Sequence, residues 1–570
     1  MKPFRIGLCM AGAVSAGAYT AGVMDYLLEA LEDWEKRRGQ ADVPSHQVTI
    51  PIMGGASAGG MTAMLAASTI NREIKPVTVP EPSKLFDEHP ENKLYNSWVD
   101  LTHRDMFPKM LENSDISEGN IVSLLNSRFI DEVAEKMLSA NKGNLRATPN
   151  YFELPVKVFT TLSNLGGFHY NVDFVSGRHK EKYNMSVHND YACFEVTDAG
   201  KPTSPGWIPL DFSKDNPSLK TAKDAAMATG AFPVGLQSRI VERETKYVQE
   251  IPWLRDIFKN SPLVGQTVKT LNVDGGMINN EPYEKVRDLL DDFTIETRSL
   301  QNATMEQRQE TLTTVNSMYE SFENTVLMID PFPSKDPEEF KFSQGLFSVI
   351  GKTLSAMTSQ MRAKPIDYRA VMLMSDASRF IVSPAREIRD KNGNVTNELF
   401  GEKAIACGTL SGFGGFLSKE FRIHDYYLGR YNCEIFLRDY FTIPETALEQ
   451  NPIFAQGYAN VDKSRFASNA TGEMRYQIIP IFTASPAPGT IKMPVFSSGS
   501  TWPKIKESEI DKLLGPIKDR IQKILMNATE LNWFTSSLLW IGAKVVLNKL
   551  LGKKVLEAIK SSLKDWELLR

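Results

Sequence analysis

Two kinds of apolar pattern alternate over the first seventy residues. Arg5 to Met10 and Val48 to Met53 are near-continuous apolar runs of strand length. Runs of that kind suit strands covered on both faces of a sheet. Val23 to Arg38 carries its apolar residues at helical spacing, and Met61 to Ala67 is built from helix-forming residues. The order strand, loop, helix, strand, tight turn, helix predicts the start of a mostly parallel sheet with helices on its faces.

The same reading carries further along the chain. Residues 72–96, with Pro76, Pro80, Pro82 and Pro90, read as a surface excursion, and Trp98 to Lys142 reads as helical through Ile121, Leu124, Leu125 and Ile130. Strands are expected at Val156–Leu162, Tyr170–Val175, Ile240–Tyr247 and Val268–Val273, with an irregular insertion over 179–219 and a helix at Lys220–Met227. Helices are expected at Tyr283–Asp292 and Met305–Phe322. Thr325 to Asp330 then reads as a buried strand that closes the sheet. A catalytic domain over 1–335, with insertions near 72–150 and 179–219, is therefore expected to precede a mainly helical region over 336–570. Within that region Phe342 to Asp376 reads as helical, and Asn392-Gly393 predicts a hairpin turn between Arg379–Pro384 and Val395–Leu399.

Composition narrows the classes. The chain has 570 residues, 42% of them hydrophobic, and a net charge of −4, which gives no basic excess to suggest nucleic acid. Cys9, Cys193, Cys407 and Cys433 lie far apart with no C-x-x-C pair, a pattern of reduced thiols rather than disulfides or a zinc site. That places the protein in the cytoplasm. The uncharged stretch Ile6 to Met24 has the length of an export signal, but Gly7, Gly12, Gly17 and Gly22 spoil it as an apolar helix.

Three segments carry candidate chemistry. Gly55-Ala56-Ser57-Ala58-Gly59 lies between a strand and a helix, the layout of a nucleophile elbow. Its serine hydroxyl is raised beside a helix N-terminus, where free N–H groups favour developing negative charge. Asn272-Val273-Asp274-Gly275-Gly276 follows an apolar-leaning run and places a carboxylate at a strand end. Such a carboxylate can take the serine proton without a histidine; as a surface turn it would do nothing. Of the seven histidines, His424 alone follows Asp274, so a Ser-Asp-His scheme has only that base available. Gly12 to Tyr19 is a loop of small residues between strand and helix, which presents backbone N–H groups to an anion as an oxyanion hole does.

Taken together, elbow, Asp-Gly-Gly and N-terminal glycine loop resemble the patatin-like phospholipases, and Gly17-Ala18-Tyr19 fits the family's Gly-Ala-Tyr. Ala228-Thr229-Gly230-Ala231-Phe232-Pro233 and Phe159 to Asn164 also resemble runs of that family, so the likeness covers residues 4 to 335. It implies a lipid acyl hydrolase on a patatin-like α/β core, with no cofactor and no metal. Ser57 is the implied nucleophile, Asp274 the base, Gly12, Ala13 and Val14 the oxyanion hole, and Gly55 and Gly59 the elbow glycines. The family loop is usually Gly-Gly-Gly-x-Arg-Gly; here Ala16 stands where the arginine is expected. That departure keeps two alternatives open: a non-lipid carboxylester hydrolase, and a catalytically impaired scaffold that binds lipid or a protein partner.

Two features fall outside those motifs. Gly412 to Phe416 and His424 to Arg430 form a cluster similar to the C-terminal part of larger bacterial patatin-related proteins, and its residues spell out no chemistry that can be assigned. Residues 533–570 place Leu538, Ile541, Val545, Leu556, Ile559 and Leu563 at helical spacing beside six lysines. Such a helix either packs on the protein's own core or lies on an anionic membrane surface as a peripheral contact. Nothing in the sequence indicates an oligomeric state.

Overall fold

The computed structural model describes residues 2–78, 81–100, 106–117, 120–139, 145–176, 179–197, 201–333, 342, 380–390, 394–482, 491–527 and 538–570, with backbone alone for the described residues of 174–182 and for 538–550. A mostly parallel sheet of nine strands forms its centre. β1 (Phe4–Met10) and β2 (Val48–Gly55) lie side by side and are buried at every position. Burial on both faces is why both read as unbroken apolar runs. β3 (Phe152–Ser176) flanks β2, β4 (His179–Val196) pairs antiparallel with β3, and β5 (Ile208–Pro209) ends that side. On the other side of β1 come β8 (Asn324–Ile329) and β9 (Phe380–Val382), both parallel. β6 (Arg239–Glu244) and β7 (Thr267–Asp274) form an antiparallel ribbon, and the end of β7 pairs with Leu162 to Asn164 of β3.

Several expected elements take another form. β8 does not close the sheet, because β9 lies outside it. Residues 179–196 are strand rather than irregular insertion: β4 pairs antiparallel along β3, and Tyr183, Met185 and Val187 alternate with Asn184, Ser186 and His188, although Tyr183 and Met185 stand in solvent. The two short strands expected within 156–175 are one strand with a bulge between Ser163 and Phe168, where Gly167 takes a φ of +67°. Residues 121–126 are not helical; the amides of Leu124 and Leu125 bond to the carbonyls of Val234 and Gly235 instead. The end of the 72–96 excursion returns to the core, with Asn92, Lys93, Leu94 and Tyr95 all buried. Val395–Phe400 pairs with Ala385–Arg389, not with 379–384, whose residues 380–382 have joined the sheet. Asn392-Gly393 and the helical stretch expected over 343–376 lie outside the described residues.

α1 (Gly17–Arg37) runs from the N-terminal loop and packs along the Lys419–Ile435 helix. The two backbones approach so closely that a Cβ on Gly22 would lie 1.9 Å from the Tyr426 carbonyl oxygen, and one on Gly429 would lie 2.2 Å from that of Tyr19. Arg430 reaches across to Asp25 and Glu29, and Tyr19 donates to Asn432 at 3.1 Å. Residues from both halves of the chain thus share one core.

The C-terminal helix, Leu538–Asp565, turns Leu556, Ile559 and Leu563 inward, and Lys560 pairs with Glu507 and Asp511. Among the described residues no helix is long and apolar enough to cross a membrane. Burying three such side chains stabilises by roughly 1.5–3 kcal/mol each. Deleting 533–570 is therefore expected to give insoluble or unstable protein, read by expression and thermal melts. A well-folded truncated protein that had lost salt-sensitive vesicle binding would instead support the membrane-surface alternative.

Candidate active site

β2 ends at Gly55 and α2 (Ser57–Ala67) begins two residues later, so the chain reverses within Ala56 and Ser57. Ser57 takes a φ of +50°, in the left-handed region that non-glycine residues avoid. The flanking glycines have a steric origin. A Cβ on Gly55 would lie 2.6 Å from Gly59 backbone, and one on Gly59 would lie 2.1 Å from the Met10 carbonyl oxygen. The elbow is thus pressed against the end of β1, and the Ser57 side chain is forced out at the N-terminus of α2. The Ser57 amide donates to Thr229 Oγ1 at 2.8 Å, which anchors the strained residue from a third segment.

Asp274 arrives from the opposite side. Ser57 Oγ donates to Asp274 Oδ2 at 2.7 Å, and both residues are 5% exposed. The other carboxylate oxygen, Oδ1, accepts from the Gly276 amide at 2.7 Å. The Asp274 main chain is held as well: its amide donates to the Ala231 carbonyl at 2.9 Å, and its own carbonyl accepts from Ser163 Oγ at 2.8 Å. Gly275 lies under β3, where a Cβ would come within 2.0 Å of the Thr161 carbonyl oxygen. Asp-Gly-Gly is therefore a buried junction and not a surface turn.

The N-terminal loop passes directly over the serine. A Cβ on Gly12 would fall 2.9 Å from Ser57 Cβ and 2.3 Å from Asn280 Oδ1, so only glycine fits. The Gly12 amide is itself taken, donating to the Asn280 carbonyl at 3.3 Å. Among the described residues nothing accepts from the amides of Ala13 or Val14. Val14 has a φ of +48°, a costly setting for a β-branched side chain. Ser15 follows, bonded to the backbone of Gly412 and Gly415.

An apolar cavity opens beside Ser57, between α2 and the Arg128–Met137 and Pro217–Thr229 helices. Leu65, Trp98, Ile130, Val133, Met137 and Met227 supply much of its wall, and Arg422 is the one charged residue among the described residues that line it. Trp98 is fixed by donating its indole N–H to Thr62 at 3.1 Å.

Ser57, Asp274, Gly12, Val14, Gly55 and Gly59 are thus brought together, and His424 is not part of the group. Its ring bonds to Asp425 Oδ1 at 2.7 Å and packs edge-on against Trp502, and burial lowers its pKa below the usual value. Among the described residues no three of His, Cys, Asp and Glu cluster as a metal site would need. Thr229, Ser163 and Asn280 were not singled out in the sequence, because each acts through one backbone bond that leaves no motif. Thr229 and Ser163 do lie inside the Ala228–Pro233 and Phe159–Asn164 runs, and those positions are the available signal.

The model of the patatin-like phospholipase family matches residues 8–287. The chain is also 32% identical, over 485 residues, to the uncharacterized protein y4iI of Sinorhizobium fredii (strain NBRC 101917 / NGR234). That alignment takes in 78% of this chain and 65% of the relative, so the chain spans less than two thirds of the relative's length.

Proposed function

We propose that this chain, whose residues 8–287 form a patatin-like phospholipase domain, is a cytoplasmic lipid acyl hydrolase of phospholipase A or lysophospholipase type that works through a Ser57–Asp274 dyad. The observation that carries the reading is the 2.7 Å hydrogen bond from Ser57 Oγ to Asp274 Oδ2, made in a buried site beside an apolar cavity. Ser57 Oγ attacks the ester carbonyl carbon as its proton passes to Asp274. The carbonyl oxygen becomes an oxyanion, held by the amides of Ala13 and Val14 at the loop above Ser57. The intermediate collapses, Asp274 returns the proton to the departing alkoxide, and the acyl group stays on Ser57. Asp274 then takes a proton from water, and the resulting attack frees the fatty acid and restores the serine. The acyl chain occupies the cavity walled by Trp98, Val133 and Met137. No step calls for a metal or a cofactor.

The direct test is turnover of p-nitrophenyl acyl esters and of phospholipids by the purified protein. Release of fatty acid from the phospholipid supports the reading. Turnover confined to short soluble esters favours a non-lipid carboxylester hydrolase, and no turnover by folded protein favours a binding scaffold. Comparing cellular lipids after expression of the wild type and of Ser57→Ala names the natural substrate.

His424→Gln separates the dyad from a Ser-His scheme. Loss of a general base costs roughly 100- to 10,000-fold. With Asp274 as base, His424→Gln is expected to keep most of its turnover per folded molecule. A collapse of that order in a variant with normal melting would replace Asp274 by His424.

A further inference from the structure

The oxyanion loop holds a conformation that its own sequence opposes. Val14 is β-branched and sits at a φ of +48°. Left-handed backbone at such a residue persists only where its surroundings over-determine it. The surroundings here come from a part of the chain some four hundred residues away. Ser15 Oγ donates to the Gly412 carbonyl and accepts from the Gly415 amide at 3.0 Å. Gly412 rests on Val14 itself, since a Cβ there would lie 3.1 Å from Val14 Cβ. A Cβ on Gly415 would lie 2.6 Å from Ser15 Oγ. A side chain at either glycine would therefore crowd the loop, and the φ of +94° at Gly412 favours glycine in its own right.

The clasping turn is itself strained and braced. Leu410, Ser411 and Gly412 take successive φ values of +55°, +55° and +94°. Asp425 accepts from the amides of Ala406 and Cys407, at 2.8 and 2.9 Å, where the turn begins. Arg422 donates to the Gly415 carbonyl from the same helix and lines the cavity beside Ser57. The C-terminal helix holds the far side: Ser562 Oγ is 2.7 Å from Thr409 Oγ1 and accepts from the Leu410 amide at 3.3 Å. Phe413 packs edge-on against Phe232, in the segment that carries Thr229 and Ala231.

We propose that the 409–415 turn is a positioning element of the active site: through Ser15 it holds Val14 in the left-handed conformation that aims the oxyanion amides, and Ser562 makes that hold depend on the seated C-terminal helix. The inference rests on the hydrolase reading above. Ser15, Thr409 and Ser562 are positioning residues and touch no reacting atom. Arg422 braces the same turn from the Lys419–Ile435 helix by donating to the Gly415 carbonyl.

Ser15→Ala removes both bonds of the clasp without deleting any oxyanion amide. Ser562→Ala loosens the turn from its far side, at a residue outside the cavity lining. Both are assayed on a p-nitrophenyl acyl ester in the full chain, with competent sites counted by a fluorophosphonate that labels Ser57. A misplacement of about 1 Å costs on the order of 100-fold. Ser15→Ala is therefore expected to lower kcat per labelled site by about 10- to 100-fold with KM within about twofold. Ser562→Ala is expected to lower kcat in the same sense and by less. A purely structural role would lower the melting temperature and the number of labelled sites but leave kcat per site unchanged, and that result would overturn the proposal. So would unchanged kcat in Ser562→Ala as far as the helix is concerned. Failure of the hydrolase reading looks different: the wild type itself shows neither turnover nor labelling.

Discussion

Ser57→Ala is expected to abolish ester turnover while leaving the fold in place. The hydroxyl is the atom that attacks, and its loss leaves no covalent route to product. Knocking out the nucleophile of a serine hydrolase costs on the order of a millionfold in kcat. The elbow does not depend on the hydroxyl. Gly55 and Gly59 are held by the Met10 backbone, and the Ser57 amide keeps its bond to Thr229. Alanine meets the same left-handed φ of +50° at similar cost to serine. The melting temperature should accordingly move by no more than about 4 °C. Initial rates on p-nitrophenyl esters, fluorophosphonate labelling and a thermal melt of the same preparation check each part. Residual turnover well above roughly a thousandth of wild type would remove Ser57 as nucleophile.

What could be read from the chain divides by the range of the interaction. β1, β2 and the elbow were legible because their determinants are local: an unbroken apolar run, then glycines at fixed offsets around Ser57. Asp274 was legible for the same reason, through the two glycines after it. Of the β3–β4 hairpin only the β3 arm was legible; in β4 the alternating Tyr183 and Met185 face solvent rather than a core, so their period of two has no buried face behind it. The Gly12 amide was expected at the oxyanion and instead donates to Asn280, a pairing set by the chain path after Asp274. The cluster from Gly412 to Arg430 was conspicuous in the sequence yet mute. Its glycines are explained by the backbone and by the surfaces they touch: Gly412 by a φ of +94° beside Val14, Gly415 by Ser15, Gly429 by Tyr19. His424, the one base a Ser-Asp-His order would leave, bonds instead to Asp425, which accepts from the amides of Ala406 and Cys407 just ahead of the 409–415 turn.

Asp274→Asn should be the most damaging substitution after loss of the nucleophile's hydroxyl. The substitution is isosteric, and the contacts that fix the residue are mostly main-chain: its amide to Ala231, its carbonyl to Ser163. The side-chain oxygen that accepts from Gly276 can be kept by the amide oxygen of asparagine. That leaves an NH2 group facing Ser57 Oγ where a carboxylate oxygen had been, at 2.7 Å in the native site. An NH2 group donates and cannot take a proton, so the serine loses both its base and the hydrogen-bond acceptor that orients its hydroxyl. Removing a general base costs roughly 100- to 10,000-fold, and the expected loss lies at the upper end because the same group must also protonate the leaving alkoxide. Solvent hydroxide can partly stand in for the missing base. The residual rate of Asp274→Asn should therefore climb with pH more steeply than that of the wild type across the same range. A variant that is folded, keeps wild-type kcat and shows no steeper pH dependence would show that the proton leaves Ser57 by another path, and the carboxylate at 274 would then be an orienting group and not the base.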